Sequence, residues 1–248
     1  MLAKTNPLSF LRRALAEDRF AIYCQPLLGL KTEAKYPLAE ALVRMADEEN
    51  AMLPPGEFLP VFEELKIMPE LDRWVVHQTL VHAAGSEIEA FCVNLSRQTL
   101  DDADFADFVS RELIFSGVPA ARILFEITEP DAAACPLARP LADVLHDLGA
   151  GVVIEDFLCR PESFRLMQAL RADYIKLDRA ILRQRRTSEA ARSALEAAVS
   201  TARASGTRVI GEGIEDLQTL VAVIRLGADY AQGFGVYGTA PIRAWLKR

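Results

Sequence analysis

The sequence lacks the cysteine pairs and the long apolar runs that would place it in several common protein classes. Its four cysteines, Cys24, Cys92, Cys135 and Cys159, stand alone, without a Cys-x-x-Cys pair or a zinc-ligand spacing, which fits a reducing compartment. No apolar run approaches the roughly 18 residues of a membrane span, and residues 1–7 carry one Lys and no apolar core, unlike a signal peptide. We therefore expect a cytoplasmic chain, or the cytoplasmic part of a longer protein, without membrane contact by this segment.

Basic residues are also in short supply. Lys and Arg number 28 against 35 Asp and Glu, which gives a net charge of −7. A general DNA or RNA binder normally carries a basic face, so we exclude that class. The negative net charge does not exclude a small anionic ligand whose charge is neutralised by a metal ion or by local Arg and Lys residues. Apolar residues make up 51% and charged residues 25%, a globular composition, and 248 residues suffice for one α/β barrel or two smaller domains.

Alternating helical and strand-like segments predict a parallel sheet with helices outside it. Five predicted helices are followed by a glycine and then a strand, a pattern that suits the left-handed residue after a helix: Gly85, Gly117, Gly149, Gly206 and Gly227. The predicted strands are 20–28, 36–43, 90–95, 122–128, 151–156, 174–177, 207–211 and 228–234. The predicted helices include 7–16 and 69–84, and one that Asp101 or Asp102 caps and that runs to Ser116.

Eight strands in about 250 residues are typical of a (β/α)8 barrel. No Gly-x-Gly-x-x-Gly motif follows the first strand, which disfavours the doubly wound alternative. No Gly/Ser or Pro tract splits the chain, so we predict a single barrel domain over 1–248.

Polar side chains recur at the ends of the predicted strands. In a parallel barrel these ends meet at one mouth, where the active site lies. In chain order the residues are Glu40, Asn94, Glu126, Glu155, Asp156, Lys176, Glu212 and Gln232, with Arg44 and Gln25 as weaker candidates. Each one alone has an ordinary explanation as a loop carboxylate, a helix cap or a structural ion pair. Their repetition on successive strands predicts one shared site.

Several carboxylates at one mouth would repel each other at neutral pH unless cations held them. The candidate ligands are oxygen donors without His or Cys, which favours Mg²⁺ or Mn²⁺ over zinc. Two such ions about 3.5–4 Å apart are a common device for phosphodiester hydrolysis.

Six motifs, taken together, resemble the EAL domain family, whose members hydrolyse or bind the bacterial second messenger cyclic di-GMP. They are Glu40-Ala41-Leu42 with Arg44, Asn94-Leu95-Ser96, Glu126-Ile127-Thr128-Glu129, Lys176-Leu177-Asp178, Glu212-Gly213-Ile214-Glu215 and Gln232-Gly233-Phe234. The resemblance extends from residue 20 to about residue 241. It implies a modified TIM-like barrel whose first strand is antiparallel to the others, and often a homodimer.

The resemblance also implies roles for individual residues. Those that resemble metal ligands are Glu40, Asn94, Glu126, Glu155 and Asp156. Glu212 resembles the carboxylate near the second metal and the attacking water, and Lys176 the residue that orients this water. The positions that resemble cyclic di-GMP contacts are Gln25, Leu42, Arg44, Asp156, Glu215 and Gln232, with Arg44 on a phosphate. Glu129 resembles the residue that anchors the loop after the fifth strand.

That loop departs from the family pattern Asp-Asp-Phe-Gly-Thr-Gly, because the chain reads Glu155-Asp156-Phe157-Leu158-Cys159-Arg160. Glu155 adds a methylene, and Mg²⁺ tolerates a displaced carboxylate poorly because it demands near-ideal octahedral geometry. If a replaced glycine has positive φ in the family, a side chain there costs on the order of 1–2 kcal/mol. Pro161 further restricts Arg160. We expect an impaired metal site and a Glu129 that loses its partner in this loop.

The function we expect is that of a receptor that binds cyclic di-GMP, with impaired or absent hydrolysis, and reports ligand occupancy to an unidentified protein partner. The alternative is an active Mg²⁺- or Mn²⁺-dependent phosphodiesterase that produces linear pGpG, which the retention of Lys176 and Glu212 favours. A third hypothesis is a scaffold that binds neither metal nor nucleotide. Mg²⁺ or Mn²⁺ is expected for the enzyme, and the receptor needs no bound metal.

Overall fold

A computed structural model describes residues 6–17, 19–46 and 51–246. Its strands are β1 Phe20–Gly29, β2 Leu38–Ala46, β3 Met52–Leu53, β4 Ala90–Asn94, β5 Ile123–Thr128, β6 Gly151–Phe157, β7 Tyr174–Leu177, β8 Arg208–Gly211, β9 Tyr230–Ala231 and β10 Ala240–Pro241. Its helices are α1 Pro7–Ala16, α2 Leu59–Glu64, α3 Met68–Ala83, α4 Arg97–Leu100, α5 Phe105–Ser116, α6 Glu129–Ala134, α7 Ala138–Asp147, α8 Pro161–Ala169, α9 Arg179–Gln184, α10 Glu189–Ala204 and α11 Leu217–Leu226. The predicted domain limits at residues 1 and 248 lie outside the described residues.

Eight of the strands close into a barrel, which confirms the predicted fold. The order around it is β1-β9-β8-β7-β6-β5-β4-β2, and β2 pairs with β1 to complete the circle. β1 is antiparallel to both neighbours, with Gln25 opposite Glu40 on β2 and Leu28 opposite Ala231 on β9. The pairs from β2 through β9 are parallel. The short strands β3 and β10 add antiparallel pairings outside this circle.

Side chains that point into the barrel form their own apolar cluster, separate from the larger core between strands and helices. This floor consists of Leu27, Leu38, Ala90, Cys92, Leu124, Val153, Tyr174, Ile210 and Tyr230. Because side chains alternate between the two faces of a strand, the residue two positions further along each strand also points inward. This alternation determines which side chains point into the barrel directly above the floor.

Three predicted elements differ from the structure. Glu40 does not end its strand: it is the third residue of β2, which continues to Ala46 as the partner of the long antiparallel β1. The helix predicted to start after Asp101 or Asp102 starts later, as α5 at Phe105, and its N-cap residue Asp104 makes no capping hydrogen bond with its side chain. The last strand is shorter than predicted, with Tyr230–Ala231 paired.

The helix-ending glycines follow the prediction at four positions and not at the fifth. Gly117, Gly149, Gly206 and Gly227 have φ values of 65°, 88°, 76° and 84°, whereas Gly85 is absent from the positive-φ residues of the described chain. Within the described ranges no helix is both long enough and apolar enough to cross a membrane.

Candidate functional site

A layer of polar side chains lies directly above the apolar floor. On the parallel strands each polar residue follows a floor residue by two positions: Leu38 and Glu40, Cys92 and Asn94, Leu124 and Glu126, Val153 and Glu155, Tyr174 and Lys176, Ile210 and Glu212, Tyr230 and Gln232. On the antiparallel β1 the order is reversed, and Gln25 precedes Leu27. The polar layer therefore follows from the two-residue period of the strands.

Lys176 is the centre of this layer. Its side chain is fully buried, and its Nζ lies 2.8 Å from Oε2 of Glu40, 2.7 Å from Oε1 of Glu126 and 3.6 Å from Oε1 of Glu155. Nζ also donates a hydrogen bond to Oε2 of Glu126 at 2.8 Å. A buried ammonium is stable only when it is paired and hydrogen-bonded, and these carboxylates meet that requirement.

Amide side chains connect the cluster to β1, β4 and β9. Asn94 donates from Nδ2 to Oε1 of Glu40 at 2.8 Å. Gln232 donates from Nε2 to Oε2 of Glu40 at 2.6 Å and to Oε1 of Gln25 at 3.2 Å. Gln25 in turn donates to the backbone carbonyl of Tyr237 at 3.1 Å. These bonds hold Glu40 in one orientation.

The carboxylates differ in their pKa values because they differ in hydrogen bonding. Burial alone would raise the pKa of Glu40, but Lys176, Gln232 and Asn94 outweigh it, and the pKa is lowered. Burial raises the pKa of Glu126 well above its usual range, with the charges of Glu40 and Glu155 adding to the effect of burial against the pull of Lys176. Nζ of Lys176 contacts both carboxylate oxygens of Glu126.

Burial also raises the pKa of two further carboxyl groups in this layer. Burial raises the pKa of Glu155 to about 7, and the charges of Glu40, Glu212 and Asp156 act in the same direction against Lys176. Burial likewise raises the pKa of Glu212. The pKa of Lys176 is raised well above its usual range, because Glu126, Glu40 and Glu155 outweigh its burial. A single ammonium thus faces an excess of carboxyl groups.

Three of these carboxylates are close enough to hold one cation. Oxygen atoms of Glu40, Glu126 and Glu155 all lie within 4.8 Å of one another. The oxygen-only donor set fits a hard cation such as Mg²⁺ or Mn²⁺. Asp156 is not part of this group. Its φ is 55°, and the pairing of β6 with β7 shifts register between Ile154 and Phe157, so the two adjacent acids diverge at a bulge.

Leu42, Arg44 and Glu215 lie outside the polar layer. Leu42 lines a cavity of about 620 Å³ between β2, α3 and the segment that follows β4, and Asn94 of the polar layer also lines it. The guanidinium of Arg44 stacks over the ring of Tyr23, 5.6 Å from its centroid, and burial lowers its pKa. Glu215 is exposed and pairs with Arg183 at 2.7 Å.

The predicted loss of the Glu129 contact is wrong. Glu129 accepts the backbone N–H of Leu158 at 2.8 Å and the hydroxyl of Ser163 at 2.8 Å. The positive φ in this loop falls on Cys159, at 59°, and not on Leu158 or Arg160, whose φ is −93°. Pro161 starts α8, where its missing N–H costs nothing. The loop keeps its anchor although both family glycines are replaced.

Sequence reasoning missed Asp72, which lines the same cavity. It is buried on α3 and accepts the backbone N–H of Ser96 at 2.9 Å as well as the hydroxyl of Thr99. A signal existed, because Asp72 occupies the apolar face that Leu71, Val75 and Thr79 define. The structure thus places a buried carboxyl group of α3 next to the cavity.

The barrel has a reversed first strand and carries an acidic layer, centred on Lys176, at the carboxyl ends of its parallel strands. This is the end at which barrels of parallel strands carry their active sites. A model of the EAL domain matches residues 9–237. The chain belongs to the EAL domain family.

Similar proteins include both curated sequences and solved structures. The chain is 28% identical over 244 residues to the cyclic di-GMP phosphodiesterase PdeF of Escherichia coli, covering 96% of this chain and 32% of PdeF. It is also 28% identical over 241 residues to the cyclic di-GMP phosphodiesterase NbdA of Pseudomonas aeruginosa, covering 94% of this chain and 30% of NbdA. The chain therefore spans about a third of the length of these relatives.

Among solved structures, the EAL domain of Xanthomonas citri FimX, in complex with c-diGMP, has a TM-score of 0.87 and 25% identity, covering 94% of this chain and 93% of that one. The PaMucR phosphodiesterase, in a c-di-GMP complex, has a TM-score of 0.84 at 24% identity, covering 96% of this chain and 99% of that one. At that identity the PaMucR match supports the fold alone.

Proposed function

We propose that this EAL domain binds cyclic di-GMP, that its hydrolysis of the nucleotide is impaired or absent, and that it acts as a receptor. The observation that carries the proposal is the divergence of the adjacent acids at the bulge of β6. Glu155 reaches the lysine-centred cluster, 3.6 Å from Lys176, while Asp156 has left-handed backbone geometry and stays out of it. The family pattern has two aspartates at these positions, and Glu155 is longer than aspartate by one methylene. Because Mg²⁺ demands near-ideal octahedral geometry, the displaced carboxylate should hold it poorly.

Cyclic di-GMP is the proposed ligand because the FimX EAL domain was solved with it and because PdeF is a cyclic di-GMP phosphodiesterase. In this chain, the half-buried guanidinium of Arg44 would pair with a phosphate. Gln25, Gln232, Glu215, Leu42 and Asp156 are the further contacts we propose. The cavity of about 620 Å³ beside Leu42 lies within the usual size range of small-molecule sites.

The second candidate is an active phosphodiesterase that produces linear pGpG. It is favoured by the oxygens of Glu40, Glu126 and Glu155 that lie within 4.8 Å of one another. Bound Mg²⁺ or Mn²⁺ would screen the phosphodiester charge and lower the pKa of a bound water. The proposed ligands are Glu40, Asn94, Glu126, Glu155 and Asp156. Glu212, whose pKa burial raises, would accept or hold a proton, and Lys176 would orient the polar groups around it.

The test is a calorimetric titration with cyclic di-GMP in EDTA buffer, followed by chromatography of the nucleotide after incubation with Mg²⁺ or Mn²⁺. The receptor proposal expects binding without metal and intact nucleotide. Arg44→Ala should weaken binding at least about tenfold, as expected for a lost charge-assisted bond. Arg111→Ala, at an exposed position of α5, is the matched control and should bind like the wild type.

A further variant separates the two candidates. If the longer Glu155 impairs the metal site, Glu155→Asp should increase metal-dependent formation of pGpG. Rapid conversion to pGpG by the wild-type protein would favour the enzyme, and absence of binding under both conditions would refute both candidates. Because Leu158 and Arg160 do not carry the positive φ of the loop, restoring glycine at those two positions should add little to the effect of Glu155→Asp.

A further inference from the structure

A groove runs between α10 and α11 on the outer wall of the barrel, away from the polar layer. Its volume is about 550 Å³. Four arginines line it, Arg185, Arg192, Arg203 and Arg225, with Glu196 as the single acid among the lining residues. In a chain with a net charge of −7, this is a local concentration of positive charge.

None of these four guanidinium groups lies within 4.0 Å of a carboxylate in the described part of the chain. Arg192 donates to the backbone carbonyl of Arg185, and Arg203 to that of Gly227. Nε of Arg185 is buried and has no hydrogen-bond partner among the described residues. Burial and the charge of Arg186 lower the pKa of Arg185. The groove therefore presents cations that lack an acidic partner.

The arginines stand in two pairs at opposite ends of the groove. Arg185 and Arg192 adjoin at the start of α10, and Arg203 lies in its last turn, beside the end of α11 that carries Arg225. Eleven residues separate Arg192 from Arg203, which corresponds to about 17 Å along a helix. A small phosphorylated molecule would engage one pair, whereas an occupant with acidic groups at both ends engages both.

The surface between the pairs is apolar and extends beyond the groove. Val199, Val221 and Leu226 line the groove itself. On α11, Leu217, Val221 and Ile224 are 72%, 36% and 49% exposed, and their spacing of four and three residues places them on one face. A small ligand confined to the groove would leave Leu217 and Ile224 uncovered, whereas an occupant of protein size would cover them.

We infer that the α10–α11 groove is a docking site for an acidic amphipathic helix of a partner protein. Such a helix would lay apolar residues at i, i+3, i+4 and i+7 into the groove, as in helix-in-groove recognition. Acidic residues about eleven positions apart would pair with the two arginine ends. A membrane surface fits less well, because the arginines line a concavity together with Glu196 and the chain as a whole is acidic. The site is separate from the proposed nucleotide site.

The probe is a phage-displayed library of helical 16-residue peptides, selected on the wild-type protein. Enriched peptides should carry Asp or Glu near both ends around an apolar stripe. They should bind the double variant Arg192→Glu/Leu217→Ser at least about tenfold more weakly, since it reverses one charge and removes one apolar anchor. A second variant, Ile224→Ser/Arg225→Glu, tests the other end of the groove and should show the same loss.

The matched control is Arg111→Glu/Ile114→Ser on α5, where Arg111 is exposed and Ile114 is 80% exposed. It makes the same two kinds of change on another helix and should bind the peptides like the wild type. Denaturation midpoints of all three variants check that each is folded. The inference is overturned if no acidic bias emerges from the selection, or if the selected peptides bind both groove variants as well as the wild type.

Two other occupants would also overturn it. Sedimentation of the wild type could show a dimer that the groove variants abolish, which would assign this face to a second copy of the chain. Vesicles with 30 mol% anionic lipid could bind the wild type and not the variants, which would assign it to a membrane surface. The proposal expects a wild type that neither self-associates through this face nor binds these vesicles.

Discussion

Replacement of Lys176 by methionine is the sharpest test of the charge arrangement inside the barrel. Methionine keeps an unbranched side chain of similar volume, so the substitution removes the charge with little loss of packing. Lys176 has no exposed surface, and three carboxylates lie within 3.6 Å of its Nζ. Removal of one partner from a buried ion pair costs about 3–5 kcal/mol, because it leaves uncompensated charge. We expect a loss of this size in the free energy of unfolding at pH 8.

The loss should shrink as the pH falls. Burial already raises the pKa of Glu126 well above its usual range and that of Glu155 to about 7. Without the ammonium these pKa values rise further, so the folded variant takes up protons that the unfolded chain does not. Its stability relative to the wild type is then regained between pH 8 and pH 5.

The assay is urea denaturation followed by circular dichroism in metal-free buffer, at pH 8 and pH 5. Lys31→Met is the control, because Lys31 makes an exposed ion pair with Asp229 at 2.8 Å and should cost less than about 1 kcal/mol. A loss below about 1 kcal/mol for Lys176→Met at pH 8 would refute the reasoning, because a buried pair should cost several times as much. An equal loss at both pH values would refute the assignment of raised pKa values to its neighbours.

Three further predictions concern the site, its loop and the backbone. Because the pKa of Glu155 is raised to about 7, the wild type loses stability as the pH rises from about 4.5 to 7. Glu155→Gln should therefore raise the free energy of unfolding at pH 8 by an amount on the order of 2 kcal/mol and change it little at pH 4.5. The same denaturation series measures this, and an effect independent of pH would contradict the prediction. Glu129→Ala should cost about 2 kcal/mol by freeing the Leu158 N–H and the Ser163 hydroxyl, and hydrogen exchange should accelerate at the Leu158 amide; unchanged exchange there would argue against the anchor. Lys66 is exposed with a φ of 56°, so Lys66→Gly should raise the free energy of unfolding by about 1 kcal/mol while Lys66→Ala should not; equal effects of Gly and Ala would rule out backbone strain as the cause.

The barrel could be predicted because local signals agreed with it. Helices followed by glycine and short apolar strands recur along the chain, and Gly117, Gly149, Gly206 and Gly227 adopt the left-handed geometry that this pattern requires. The members of the polar layer could be named for a related reason, since they follow apolar strand residues in sequence. The contacts among these residues could not be predicted from the sequence. Which carboxylates reach Lys176 depends on the stagger of neighbouring strands, and sequence periodicity does not report the stagger.

The loop after β6 shows why another prediction was wrong. The expectation that Glu129 would lose its partner assumed that the partner depended on the replaced glycines. Its partners are the backbone N–H of residue 158, which any residue except proline supplies, and the hydroxyl of Ser163. Leucine in place of glycine therefore left the donor intact. Asp72 was missed because the apolar face of α3 was interpreted as packing alone, although one of its members has a carboxyl side chain.

The stacking of a polar layer on an apolar floor also restricts how the strands can be aligned while the barrel forms. Hydrophobic alternation alone excludes slips by one residue, since they turn the apolar side chains outward, but it tolerates slips by two. In this barrel a slip of β7 by two residues would bring Lys176 to the level now held by Tyr174, among Leu124, Val153 and Ile210. The ammonium would lose its carboxylates and gain none. The same charges that form the candidate site thus distinguish the native alignment from the nearest alternatives that the apolar pattern permits.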